Sequence, residues 1–408
     1  MKILQLCNKP PYPSVDGGTM AMDSITQGLM ECGCEVKVLS VCSDKHPVLK
    51  ERMDEAYLEA TRFESAYVDL KVHKLDAAIS LLCGESYHVK RFESRSFESK
   101  LIEILKAEEF DIVHIESIFL APYLPAIRRY SNAKVVLRAH NVEHEIWRRI
   151  ASQTPNMAKR WYLKKLALAL RMYELEHLNA FDAIVCITQT DADYFRNTLS
   201  PEGHKCKRPM MVIPFGIRMP EIAGKTSVIP NSLYHIGSMD WMPNQESIEW
   251  LLTDIWPLIH SQEPQVSLYL AGRKMPERFL EKSGDGLYVE GEVADANAYI
   301  ADKQINVVPL LSGSGIRVKI IESMAAGKVV VTTSVGAQGI DYEDGKNILI
   351  ANSPQEFADQ IKRLADNPVL CREIGQNARL LAEEHYDRNL LGKQLVDFYH
   401  NISGEIEL

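Results

Sequence analysis

The chain has 408 residues, 46% apolar and 25% charged, an ordinary balance for a globular protein of about two or three domains. Its 46 basic and 55 acidic residues give a formal net charge of −9, which argues against a general affinity for nucleic acid. No window is apolar and charge-free for long enough to span a bilayer, the start MKILQLCNKPPYP reads as a first strand and not as a secretion signal, and eight scattered cysteines without a CxxC pair read as free thiols, so a cytoplasmic location is expected.

Residues 1–7 read as a strand, followed by a loop with Pro10, Pro11, Pro13 and Asp16-Gly17-Gly18-Thr19. A helix carrying Met22, Ile25, Leu29 and Met30 and a strand over 35–41 complete a βαβ opening. Gly17-Gly18 falls short of the GxGxxG fingerprint; it is either a tight turn or the place where an α/β sheet holds a ligand at the C-terminal ends of its strands. Residues 44–85 read as helical excursions with one short strand near 68–72. An amphipathic helix ends the stretch 87–106, and strands follow over 110–115 and 133–137.

The last of these strands runs into Arg138-Ala139-His140-Asn141-Val142-Glu143-His144. A neutral His140 at a strand's C-terminal end suits a hydrogen bond to a sugar hydroxyl, or simply fixes its loop. His140, Glu143 and His144 also match the HxxEH zinc-protease pattern, which needs both histidines on one helix and sits awkwardly where a strand ends. Residues 147–172 carry Arg148, Arg149, Lys159, Arg160, Lys164, Lys165 and Arg171 and no acidic residue. On a helical wheel Tyr162, Leu163, Leu166, Ala169, Leu170 and Tyr173 form one apolar face, and Arg160, Lys164, Lys165 and Arg171 surround Trp161, Leu168 and Met172 on the other. This pattern suits peripheral contact with an anionic membrane or a lipid-phosphate acceptor, or a helix buried on two sides with basic residues at its rim.

Strands over 181–187 and 211–213 flank a helix that starts at 190–193. Residues 214–230, with three prolines and two glycines, read as a linker. The domains expected are 1–213, a linker over 214–231, 232–385, and a final helix over 386–408 that could return to the first domain. The βα alternation restarts with strands over 233–236, 266–271 and 287–289, which lead into Gly237-Ser238-Met239-Asp240-Trp241, Gly272-Arg273 and Glu290-Gly291-Glu292-Val293. One long helix is expected over 244–260 and a helical tail over 354–399.

The stretch LLSGSGIRVKIIESMAAGK, residues 310–328, is the most informative. A buried strand over 305–311 leads through Ser312, Gly313, Ser314 and Gly315 into a helix expected over 316–326, with Gly327 as its stop. Arg317 and Lys319 fall in its first turn and Glu322 one turn further. A helix N-terminus presents free N–H groups, and glycines let the backbone approach a phosphate. Two cations there oppose the helix dipole unless an anion arrives. Glu322 suits a ribose hydroxyl; the plainer reading is a solvated Lys–Glu pair.

Taken together, the Gly17-Gly18 loop, His140 after its strand, VIPFGI at the domain join, IGSMDW, and the 310–328 stretch resemble the retaining GT-B glycosyltransferases of the large family-4 (group 1) type. Among these the chain is most similar to bacterial sugar transferases of polysaccharide and glycolipid assembly. The resemblance implies an α/β fold of two Rossmann-like, doubly wound parallel-sheet domains facing each other across a cleft. It implies transfer of a sugar from a nucleotide-diphosphate sugar to a glycan or lipid-linked acceptor hydroxyl, with retention and with neither metal nor cofactor.

On this basis His140, Arg317 and Lys319 are the catalytic candidates. Gly17, Gly18, Gly237, Ser238, Arg273, Gly291, Val293, Ser314, Gly315 and Glu322 are the donor-binding candidates. Two features depart from the family pattern. Ser314 stands where a first glutamate is usual. Ser238 and Asn244 or Gln245 stand where an arginine and a lysine are usual, a loss that Arg317 and Lys319 would offset. A nucleotide-sugar epimerase of the same fold, a non-catalytic nucleotide-sugar binder and an HxxEH zinc hydrolase are the alternatives.

Overall fold

The computed structural model describes residues 1–14, 16–200, 202–220, 228–313 and 315–404. The chain divides into two compact units, Met1–Gly216 with the segment starting at Arg388, and Ile217–Asp387.

The first unit is built on seven parallel strands: β1 (Lys2–Cys7), β2 (Glu35–Cys42), β3 (Glu64–Tyr67), β4 (Ile112–Ile115), β5 (Lys134–Ala139), β6 (Ala183–Cys186) and β7 (Met210–Val212). Their order is β3-β2-β1-β4-β5-β6-β7. Strands such as IVHI and AIVC are buried along their whole length, as a parallel sheet covered on both faces requires. On one face Leu4, Leu6, Val113 and Leu137 pack with Phe97, Leu101 and Ile104 of the helix Arg95–Ala107. On the other, Ile3, Cys7, Ile112 and Val136 pack with Met22, Ile25 and Leu29 of α1 (Gly17–Glu31) and with Leu391, Leu395 and Tyr399 near the C-terminus. The order reverses between β1 and β4, which opens a crevice at their C-terminal ends.

The short strand expected near 68–72 ends earlier, at Tyr67. Val68 still donates to the Cys42 carbonyl, but the Asp69 carboxylate then accepts from the Lys71 amide and turns the chain. The basic stretch is two helices, α2 (Glu143–Gln153) and α3 (Met157–His177). Pro155 separates them, and Asn156 caps α3 by accepting from the Lys159 amide.

The second unit has six parallel strands, β8 (Ser232–Ile236), β9 (Ser267–Ala271), β10 (Leu287–Gly291), β11 (Ile305–Val308), β12 (Val329–Thr332) and β13 (Leu349–Ile350), in the order β10-β9-β8-β11-β12-β13. This is the Rossmann order, and its reversal lies between β8 and β11. The helix expected over 244–260 starts as α4 (Met242–Trp250), passes through one π-type turn at Leu251–Ile255 and resumes over Trp256–Gln262. Pro257 lacks the N–H that a continuous ladder needs there.

The helix expected over 316–326 is shorter, α5 (Val318–Ala325). Arg317 is its extended N-cap and not part of the first turn, because its guanidinium turns back to donate to the Gly315 carbonyl and lies over the Trp241 ring. The helical tail divides into Pro354–Asp366, Pro368–His385 and α6 (Arg388–Ser403). Pro368 supplies the first break. Among the described residues no helix is long and apolar enough to cross a membrane.

Candidate functional site

In the second unit, three neighbouring strands lead into glycines at their C-terminal ends. The Gly272 amide donates to the Gly291 carbonyl at 2.6 Å. A Cβ on Gly272 would lie 1.9 Å from the Gly237 carbonyl oxygen. A Cβ on Gly237 would lie 2.9 Å from Asn244 Nδ2 and 3.3 Å from Lys319 Nζ. The floor of the crevice is therefore bare backbone, closely packed, with the Lys319 ammonium set against it.

Lys319 donates to Asn244 Oδ1 at 2.9 Å and to His235 Nε2 at 3.2 Å. His235 Nδ1 lies 2.7 Å from the Val307 carbonyl and so carries the ring proton, which leaves Nε2 as the acceptor. Both partners of the lysine are thus neutral, and no carboxylate among the described residues pairs with it. Burial first, then the neighbouring Arg317 charge, brings the ammonium down to about 7. Burial and Lys319 likewise hold the His235 imidazole well below its ordinary value. Arg317 is itself buried, and a Cβ on Gly313 would meet both its Nη2 and the Trp241 ring at 2.9 Å.

Glu322 has solvent access on α5, yet the surrounding protein holds its carboxyl above the ordinary range. Gly315 has φ +82° and open space where a Cβ would stand. Ser238 lends its carbonyl to Asn244 Nδ2 at 2.8 Å. Arg273 is half-exposed and faces Asp240 at 3.6 Å. Val293 is partly buried beside Tyr234 and Tyr299. Ser314 lies outside the described residues. Lys319, Gly237 and Asn244 therefore meet directly, whereas Arg273 is drawn to its own ion pair.

In the first unit the corresponding crevice is a cavity of about 170 Å³ whose lining includes Lys9, Gly18, Glu116, His140 and Glu143. Its centre is Glu116, just past β4, which sequence reasoning missed. Gln5 donates to its Oε1 at 2.6 Å, His140 Nε2–H donates to its Oε2 at 2.8 Å, and His114 Nε2 lies 3.2 Å away. Arg138 Nε is 3.7 Å from Oε2. Burial opposes the charge, but His114 and His140 outweigh it and keep the carboxyl far below the usual range. Burial lowers the His140 imidazole, so the ring is neutral with Nδ1 as its acceptor. Gly17 and Gly18 open α1, where Asp16 and Thr19 form a capping box and Lys9 binds the Asp16 carboxylate at 2.7 Å. A Cβ on Gly18 would touch Lys9 Nζ at 3.0 Å, and one on Gly17 would touch nothing within 4 Å.

The HxxEH reading is overturned. His140 is spent on Glu116, while His144 binds Glu174 at 2.5 Å and Tyr194 at 2.8 Å, so the two imidazoles do not converge on a shared point. Glu174 also accepts from the Glu143 and His144 amides and so occupies the start of α2. Burial and the Glu174 charge push the Glu143 carboxyl up to about 8.

Comparisons with known proteins agree with this construction. Residues 15–218 match the model for glycosyltransferase family 4, and residues 230–367 match that for group 1 glycosyl transferases. An uncharacterised 44.6 kDa protein in a cps region of Klebsiella pneumoniae is 23% identical over 399 residues, covering 95% of this chain and 96% of that one. Sucrose-phosphate synthase from Thermosynechococcus elongatus shares the fold, with TM-score 0.64 at 15% identity and full coverage of both chains. So does Anabaena HepE in complex with UDP-glucose, with TM-score 0.60 at 14% identity over 98% of this chain and 100% of that one. Two Rossmann-ordered parallel sheets, a crevice at the C-terminal strand ends of each and family matches across both halves place the chain in glycosyltransferase family 4 (group 1), as a glycosyltransferase of the GT-B fold.

Proposed function

We propose that this glycosyltransferase moves a sugar from a nucleoside-diphosphate sugar to a glycan or lipid-linked acceptor hydroxyl, with retention, in polysaccharide or glycolipid assembly. The observation that carries the reading is Lys319, a partly buried ammonium whose hydrogen-bond partners, His235 and Asn244, are neutral. A cation drawn this far out of water is stabilised when an anion arrives. A diphosphate on the glycine floor would meet Lys319 and Arg317 together with the backbone around Gly315. Neutralising the charge that develops on the leaving diphosphate is then the main catalytic effect. Glu322 holds the ribose and backbone near Gly291 and Val293 meets the base, while His140, oriented by Glu116, is the catalytic candidate of the first unit. No metal enters this reading, because the two cations supply the electrostatics. The UDP-glucose in HepE supports a nucleotide donor, and the cps-region relative supports the role in polysaccharide assembly.

The test is calorimetric titration with a panel of free nucleoside diphosphates, followed by turnover on the sugar form of the one that binds. Lys319→Ala and Arg317→Ala should each cost on the order of 100- to 1000-fold in kcat while thermal unfolding stays cooperative. Chelator should leave turnover unchanged. Unaltered rates in both variants would refute the diphosphate clamp.

A further inference from the structure

We propose that the first unit docks on an anionic lipid bilayer through the outer face of α3. Met157, Trp161, Leu168 and Met172 stand on that face at 81%, 57%, 50% and 40% exposure. Spacings of four, seven and four residues keep them in one stripe of roughly 22 Å, at 1.5 Å rise per residue. The opposite side is committed: Leu163 and Leu166 pack against Ala151 of α2 and against Tyr87. Lys164 and Lys165 border the stripe on either side, and both are exposed. Residues 147–172 contain no acidic side chain, in a chain whose net charge is −9.

The pattern selects the occupant. A helix lying in a bilayer interface sinks an apolar stripe among the acyl chains while flanking lysines reach up to lipid phosphates. The cores of protein interfaces are instead depleted in lysine. A second copy meeting this face about a two-fold axis would bring Lys164 and Lys165 against the same lysines of the other copy. An anionic bilayer matches both the apolar stripe and its border.

Docking there would have a consequence for the acceptor side. α2, the partner of α3, contributes Glu143, Ile146 and Trp147 to a second cavity of about 500 Å³, opposite His88, Arg91 and Phe92. His88 is stacked on Trp147 at 3.9 Å, so the cavity wall and the docking face belong to one packed assembly. Seating α3 on lipid carries that cavity to the interface, where an amphiphilic acceptor would present its head. The docking itself goes beyond the transfer reading and does not depend on it.

The experiment is vesicle co-sedimentation of the full chain without any donor, so that its outcome is separate from nucleotide binding. Vesicles of phosphatidylcholine with about 40% phosphatidylglycerol should bind it and pure phosphatidylcholine should not, with binding reduced at about 0.5 M salt. Lys164→Ala/Lys165→Ala should weaken partitioning about thirtyfold, about fivefold for each cation removed. Trp161→Ser/Leu168→Ser should also weaken it, with an unchanged thermal melt because the residues are exposed. Should that variant melt early, brominated-lipid quenching of the native chain against Trp161→Phe replaces it; quenching that loses its Trp161 component supports docking. Equal binding to both vesicle types, variants that bind like the native chain, or a self-association that the lysine variant abolishes would overturn the proposal.

Discussion

At the scale of single residues, Lys319 ties the structure to a measurable pH dependence. Burial and then Arg317 bring its ammonium down to about 7. A bound diphosphate would raise it again, since an opposite charge favours the charged form. Above about pH 7 the free protein has lost this proton while the complex retains it, so binding at pH 8 takes up a proton and binding at pH 6 takes up almost none. Diphosphate affinity should therefore fall as pH rises through about 7, by as much as tenfold per unit, until the complex itself titrates. Titrating UDP into the protein in buffers of different ionisation enthalpy measures the uptake directly. Zero uptake at pH 8 would show that Lys319 does not meet the anion. Lys319 and Arg317 announced themselves in the sequence, as cations at a helix start, whereas His235 did not. The Lys319 partners Asn244 and His235 lie 75 and 84 residues away, and no local pattern connects them.

At the scale of elements, the glycines divide into two kinds. Gly272 is fixed by packing, since a Cβ would fall 1.9 Å from the Gly237 carbonyl oxygen, a backbone atom that cannot step aside. Gly272→Ala should destabilise the second unit by about 1–3 kcal/mol and splay the ends of β8 and β9. Gly17 has no such constraint, with nothing within 4 Å of a Cβ and a place in the first turn of α1. Gly17→Ala should leave stability to thermal unfolding unchanged or raise it, by roughly 0.4–1 kcal/mol. If turnover falls all the same, the glycine is there for a ligand's approach; if activity is unaltered, the turn is its whole role.

The strand–glycine–helix rhythm of the second unit was legible because the short apolar runs of β8, β9 and β10 lead straight into Gly237, Gly272 and Gly291. Glu116 was not. It follows the apolar strand IVHI, and its charge is tolerated only because His114, His140 and Arg138 gather from β4, the end of β5 and β5 itself. The helix α5 was placed two residues early for a related reason: the contact of Arg317 with Trp241 joins segments far apart in the chain.

At the scale of the whole molecule, the first unit is assembled from both ends of the chain, and the second unit is one continuous segment between them. α6 is therefore part of the core that surrounds Glu116. Leu391 and Leu395 pack beneath α1, and Arg388 pairs with Glu31. Tyr399, fully buried with its hydroxyl kept protonated by burial, hydrogen-bonds His114 Nδ1. The opposite nitrogen of that ring faces Glu116, so the C-terminal helix reaches His140 through two intermediates. Tyr399→Phe keeps the ring packing but leaves His114 Nδ1 buried without its partner, a loss of about 1–3 kcal/mol. The loss should fall on the first unit alone. Native-state hydrogen exchange should show faster opening for the amides of β1, β4 and α1, with β8, β11 and α5 unchanged as the control. Equal acceleration in both units would mean that they unfold as one body, and no acceleration anywhere would mean that the bond from Tyr399 to His114 carries no stability.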